Sequence, residues 1–175
     1  CVGIGAYLIK IGPTIDVHTG GSDLMFPHHT NEIAQSESAT GQQFVRYWIH
    51  GGFMNVGDEK MAKSRGDFVK LETLLENSIS PLAYRYWLMT AHYRSPVNFT
   101  FDSVKAAQTA LIKFIGAVAI LPDDGKVNQE YKNRFTAFID DDMDMPQAIA
   151  LAWQLIKDSK ISPADKRTTL LDFDR

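Results

Sequence analysis

Between Thr14 and Val56 the hydrophobic pattern changes period twice, and that change restricts the fold more than any single residue does. Thr14-Ile15-Asp16-Val17 follows Gly12-Pro13 and carries the β-branched residues of a short strand. A glycine turn at Gly20-Gly21 comes next. Pro27 is placed to open a helix as its first residue, where a missing N–H and a fixed φ cost little. That helix is expected to run to about Thr40 and to stop before Gly41. Phe44 to Val56 is rich in aromatic and β-branched residues around Gly51-Gly52, which reads as a strand, a break and a second short strand. Strand, helix and strand over this span make a crossover unit of a parallel sheet. Ligands in such sheets settle beyond the carboxyl ends of the strands, where His18 to Asp23 fall.

Residues 1–11 are apolar up to Lys10 and suggest a buried helix, weakened by Gly3 and Gly5. Beyond Gly66 the pattern turns helical and stays so. Ser80-Pro81 is a cap and first-turn pair for a helix through about His92. Thr100 and Asp102 open another, with Val104, Ala107, Leu111, Phe114 and Val118 along one face. Pro122-Asp123-Asp124-Gly125 is the clearest linker. Residues 127–139 form the next expected helix, Asp144 and Pro146 start one through about Lys157, and Ser162-Pro163 starts a last one. The expected class is α/β turning to mostly α.

Composition narrows the functions open to such a chain. Of its 175 residues 45% are apolar and 22% charged, as in ordinary globular proteins. No apolar run has the ~18 residues of a membrane span, so no membrane role is expected. A net charge of −3 gives no overall nucleic-acid signature, and any RNA contact would use local basic patches. The single cysteine excludes an internal disulfide, suits a reducing cytosol, and leaves a mixed Cys/His/Glu metal site open. The chain opens at Cys1 rather than methionine, which suggests a piece of a longer polypeptide with no leader before it.

Two clusters carry the chemistry. His28 and Glu32 stand four residues apart, a spacing that sets two ligands on one helical face. Taken alone, such a pair is more often a capping histidine and a surface glutamate. The neighbouring His29, His18 at a strand end and Gly20-Gly21, which admits close backbone approach, favour a site. Cys1 offers a third ligand, although a small buried residue is the commoner fate of a lone cysteine. The second cluster is Glu59-Lys60-Met61-Ala62-Lys63-Ser64-Arg65-Gly66. Lys60 and Lys63 can neutralise charge growing on a leaving pyrophosphate, and Gly57 and Gly66 let the loop close. By itself such a stretch is more often a solvated turn, and no Walker-type string is present. Together the clusters point to nucleotide-dependent activation of a substrate that a metal can hold.

These strings carry a resemblance. Asp16-x-His18-x-Gly20-Gly21-Ser22-Asp23-Leu24, Phe26-Pro27-His28-His29-x-Asn31-Glu32-Ile33-Ala34-Gln35-Ser36 and Lys60-Met61-Ala62-Lys63-Ser64 resemble cysteinyl-tRNA synthetases, class I aminoacyl-tRNA synthetases. Ala91-His92-Tyr93-Arg94-Ser95-Pro96 and Asp140-Asp141-Asp142-x-x-x-Pro146-x-Ala148 extend the likeness over nearly the whole chain. The resemblance implies a partial Rossmann-type sheet with the lysine loop over 1–66, a helical stem-contact region over 67–121, and part of an anticodon-side helical bundle over 126–175. It implies one Zn2+ held by Cys1, His28 and Glu32, a further cysteine coming from upstream, with the metal binding the thiolate of substrate L-cysteine. A soft sulfur ligand separates cysteine from serine better than an apolar pocket can. It places His18 beside the amino-acid site, and Gly20, Gly21 and Asp23 against the adenosine, with Asp23 on the ribose hydroxyls. It makes Lys63 and its partner Lys60 the catalytic and ATP-contacting lysines. ATP with Mg2+, tRNA(Cys), a cytoplasmic location and a monomer follow from the same likeness.

The chain departs from the family pattern in three places. Ala62 replaces the central serine of Lys-Met-Ser-Lys-Ser, which removes a hydroxyl and keeps both charges. Cys1 stands about two residues farther from Asp16-x-His18 than is usual. The His-Ile-Gly-His signature would lie upstream, so these residues alone are expected to be inactive. Two other readings remain open: a cysteine ligase of mycothiol biosynthesis, which the Asp140 to Ala148 segment disfavours, and a non-catalytic zinc- or RNA-binding module, which Lys60 and Lys63 disfavour.

Overall fold

The computed structural model describes residues 12–56, the backbone of 59–60, and residues 70–174. The expected helix over 1–11, Cys1 and Lys63 lie outside the described residues. Two compact units are distinguished: Cys1–Phe53 with Arg94–Pro96, and Met54–Tyr93 with Val97–Arg175.

In the first unit, strand β1 (Ile15–Gly21) pairs in parallel with β2 (Val45–Gly51). Helix α1 (Thr30–Thr40) joins them as the crossover. The register sets His18 opposite Trp48 and Gly20 opposite His50. Because strand side chains alternate, His18 and Gly20 share a face with Trp48 and His50. Helix α1 ends at Gly41, whose φ of 66° is the left-handed cap that glycine adopts without penalty. Its last turn is tied to the sheet, since the Phe44 N–H donates to Glu37 Oε1 at 3.1 Å.

Two expectations about this unit need correction. The glycines are no turn: β1 runs through Gly20 and Gly21 with ladder partners for both. Pro27 does not open the helix either. Phe26 is extended (φ −139°, ψ 132°), as residues before proline tend to be, and Met25–His29 forms an irregular π-type turn before α1 begins at Thr30.

In the second unit, β3 (Met54–Val56) lies between β4 (Glu59–Lys60), antiparallel to it, and β5 (Val97–Phe99), parallel to it. Helices α2 (Leu71–Glu76), α3 (Pro81–Met89) and α4 (Phe101–Ala119) close one core around Leu74, Ile79, Ala83, Trp87, Phe99 and Val104. Ser80 caps α3, which ends at Met89 rather than His92. Thr100 and Ser103 form a reciprocal capping box on α4. After the Pro122–Gly125 linker come α5 (Gln129–Asp140), α6 (Met145–Lys157) and α7 (Pro163–Phe173). They bury Tyr131, Leu151, Ala152, Leu155 and Leu170 in a second core. The first is capped by Asn128, one residue into the expected 127–139 span, and the others by the expected Asp144 and Ser162, each side chain accepting from the backbone N–H three residues on. Trp153 of α6 donates its indole N–H to the Tyr86 hydroxyl of α3 at 3.0 Å, which joins the two cores. Among the described residues no helix is long and apolar enough to cross a membrane. The mixed class with a parallel pair followed by helices agrees with the expectation.

Candidate functional site

The site grows from the inward face of β1 and β2 and the start of α1. Glu32, in the first turn of α1, reaches two imidazoles: its Oε1 lies 3.4 Å from His28 Nε2 and its Oε2 lies 3.2 Å from His18 Nε2. Although His28 belongs to the irregular turn rather than to α1, the four-residue spacing still brings it onto Glu32. His18 arrives from the strand, edge-on to Trp48 at 4.9 Å between ring centres.

His29 is the residue that sequence reasoning treated only as a neighbour. It is 3% exposed, and its Nδ1 lies 2.8 Å from His50 Nε2. Its ring meets His18 edge-on at 4.9 Å and Trp48 at 4.8 Å. Burial holds its pKa below the ordinary histidine value, and the nearby His18 adds to that. A neutral imidazole is the form that binds metals. His50 was missed altogether. Its signal was present in the two-residue spacing to Trp48, which puts both rings on one strand face.

Gly20 has a local cause. A Cβ there would stand 2.6 Å from His29 Cε1 and 2.9 Å from its Nε2, so the absent side chain makes room for this imidazole. Gly21 is hemmed in similarly, with a Cβ 2.6 Å from Asp23 Oδ1. Asp23 sits in the turn just past the end of β1, beyond the carboxyl edge of the parallel pair. Among the described residues the structure brings together His18, His28, His29 and Glu32; Lys60 lies in β4, and Lys63 and Cys1 are outside the described residues.

The group fits a metal ion on one observation in particular. Glu32 Oε2 is buried, and among the described residues no aligned donor reaches it, although His18 Nε2 lies 3.2 Å away. An orphaned buried carboxylate oxygen is costly unless something charged answers it. One ligand atom each from His18, His29 and Glu32 lies within 4.8 Å of the others, close enough for one ion to touch all three. Nitrogen and carboxylate donors of this kind suit zinc.

The chain is similar to known proteins over most of its length. Residues 5–109 match the family described as tRNA synthetases class I (C) catalytic domain. The chain is 44% identical over 165 residues to cysteine–tRNA ligase 1 of Burkholderia lata, covering 94% of this chain and 35% of that protein. It is 55% identical over 100 residues to the cysteine–tRNA ligase of Prochlorococcus marinus, covering 57% of this chain and 20% of that one. The chain thus spans about a third or less of the length of these curated relatives. Among solved structures, a LeuRS of Agrobacterium radiobacter K84 in a ternary complex with tRNA and LeuAMS superposes with TM-score 0.69 at 18% identity, over 94% of this chain and 25% of that one. A Mycobacterium tuberculosis methionyl-tRNA synthetase bound by methionyl-adenylate gives 0.58 at 18%, over 90% and 39%. At those identities the two structures speak for the fold. The family match spans more than half of the chain and the ligase likeness nearly all of it: the protein belongs to the class I (C) tRNA synthetases.

Proposed function

We propose that this chain is part of a cysteine–tRNA ligase, which joins L-cysteine to ATP as cysteinyl-adenylate, releases pyrophosphate and passes the cysteinyl group to the 3′ end of tRNA(Cys). The observation that carries this reading is Glu32, which sets its buried Oε2 beside His18 and its Oε1 beside His28. The names of the curated relatives support the same assignment.

In this reading Cys1, His28 and Glu32 hold Zn2+, with His18 and His29 close by. When bound, the ion supplies a soft partner for the substrate thiolate, which a serine hydroxyl cannot match. The chain's own residues do the rest. His18 and Trp48 wall the amino-acid side, and the buried, neutral His29 excludes a competing positive charge. Gly20 and Gly21 keep the strand end low under the adenosine, and Asp23 meets the ribose. Lys60 and Lys63 offset the charge of the leaving pyrophosphate, where Mg2+ also acts. Residues 1–66 form the catalytic part with the lysine loop, 67–121 the stem-contact region and 126–175 part of the anticodon-side bundle of a cytoplasmic monomer.

Cysteine-dependent pyrophosphate exchange by the full polypeptide tests the proposal. Exchange with cysteine, at least about a hundredfold above serine and lost in Glu32→Gln, is the expected result. No exchange would favour a non-catalytic zinc- or RNA-binding module, and transfer to an amino sugar instead of tRNA would favour the mycothiol-type ligase.

A further inference from the structure

Glu32 offers its two carboxylate oxygens in two directions, Oε1 to His28 Nε2 at 3.4 Å and Oε2 to His18 Nε2 at 3.2 Å. The two imidazoles differ in setting. His28 is exposed in the irregular turn before α1, whereas His18 comes from β1 and meets the buried His29 edge-on at 4.9 Å. In the ligase reading Oε1 and His28 belong to the thiol-binding zinc together with Cys1. That reading gives Oε2, His18 Nε2 and His29 no ion of their own.

These three residues nonetheless make a donor set. One ligand atom from each of His18, His29 and Glu32 lies within 4.8 Å of the others. His18 Nε2 and Glu32 Oε2, 3.2 Å apart, already stand near the separation of about 3.4 Å that two ligands of a tetrahedral zinc adopt. His50 occupies Nδ1 of His29, so Nε2 is the nitrogen left to a ligand. That nitrogen lies beside Gly20, where a Cβ would stand 2.9 Å from it, and bare backbone keeps its approach open. A plain ion pair of His18 with Glu32 is the ordinary alternative. It would aim the ring N–H at Oε2, yet among the described residues no aligned donor reaches that oxygen. It also gives the nearby His29 nitrogen no part.

We propose that Glu32 bridges two cation positions, an outer one at Oε1 with His28 and an inner one at Oε2 with His18 and His29. The inner position takes a second divalent ion of the imidazole-binding class, such as Zn2+, Co2+ or Ni2+. A carboxylate can reach both members of a metal pair, since two-metal sites hold their ions about 3.5–4 Å apart. The outer position belongs to the ligase reading above; the inner one stands on the geometry of His18, His29 and Glu32. Its donors are two imidazoles and a shared carboxylate, without a thiolate, so it binds more weakly and fills second. Once filled, it ties β1 to the start of α1 through the metal and stabilises the parallel unit.

Titration of the chain with Co2+ under reducing conditions tests the proposal, because a thiolate ligand gives Co2+ a near-ultraviolet charge-transfer band that nitrogen and oxygen ligands do not. The first equivalent should develop that band. The second should bind without adding to it and should raise the melting temperature. His18→Gln and His29→Asn should each remove the second equivalent and retain the first, and His28→Ala should do the reverse. His18 is partly exposed, so its variant should keep the metal-free melting temperature of the parent and decides the matter if the buried His29 resists exchange. Saturation at one thiolate-bound equivalent overturns the proposal, as does a second equivalent that persists in folded His18→Gln. Co2+ bound through His18 and His29 with no thiolate band would defeat the ligase assignment of Cys1 and leave the inner position standing.

Discussion

Nδ1 of His29 lies 2.8 Å from Nε2 of His50, so one of the two rings must donate and the other accept. The contact occupies one nitrogen of a buried imidazole and leaves Nε2 available to a ligand. His50→Ala should therefore strand a buried polar atom and cost about 1–3 kcal/mol. Urea denaturation reads that loss, and His50→Gln, which restores a side-chain partner, should recover part of it.

Metal uptake separates the two possible ligand sets around Glu32. Glu32→Gln should abolish stoichiometric zinc measured by mass spectrometry of the purified protein, because it removes the only carboxylate of the group. If zinc sits between Glu32 and His28, His28→Ala lowers occupancy more than His29→Ala does. The reverse order would move the ion to the His18, His29 and Glu32 group. Full occupancy in Glu32→Gln would remove the site altogether.

Two glycines should fail for different reasons. At Gly20 a methyl group would collide with His29, so Gly20→Ala is expected to cost about 1–3 kcal/mol and to lower zinc occupancy as well. At Gly41 the space is empty and only the φ of 66° resists, so Gly41→Ala should cost about 1–2 kcal/mol with zinc unaffected. Thermal melts paired with metal analysis distinguish these outcomes.

Asp158 predicts an acid dependence. The Lys160 N–H and then the Tyr131 hydroxyl donate to it and lower its pKa in the folded chain, so its contribution to stability is complete above the ordinary carboxylate range and is lost as pH falls through the lower folded value. Asp158→Asn should melt below the parent chain near neutral pH, and the gap should narrow as the pH is lowered through and below the ordinary carboxylate range. A gap that stays constant over this window would show that the carboxylate's charge contributes nothing.

Much of this could be read in the sequence, and the gaps have physical causes. Helix starts at Ser80, Thr100, Asp144 and Ser162 were legible because a cap is local chemistry between residues two or three apart. The His28 and Glu32 pair was legible for the same reason. His50 was not, because its partner His29 is 21 positions away and reaches it only through the parallel pairing. Strand β5 was missed since three residues carry no period, and its ladder bonds come from β3. Pro27 misled because a proline can open a helix, whereas here the extended Phe26 delays it until Thr30.

The pairing of His18 with Trp48 and Gly20 with His50 also limits how this region can change over evolution. Strand side chains point up and down by turns, so inserting or deleting one residue between Ile15 and His18 would rotate His18 to the outer surface, beside Val17 and Tyr47. The short stretch from Ile15 to Gly21 should accordingly tolerate exchange of its outward residues and reject any change in length.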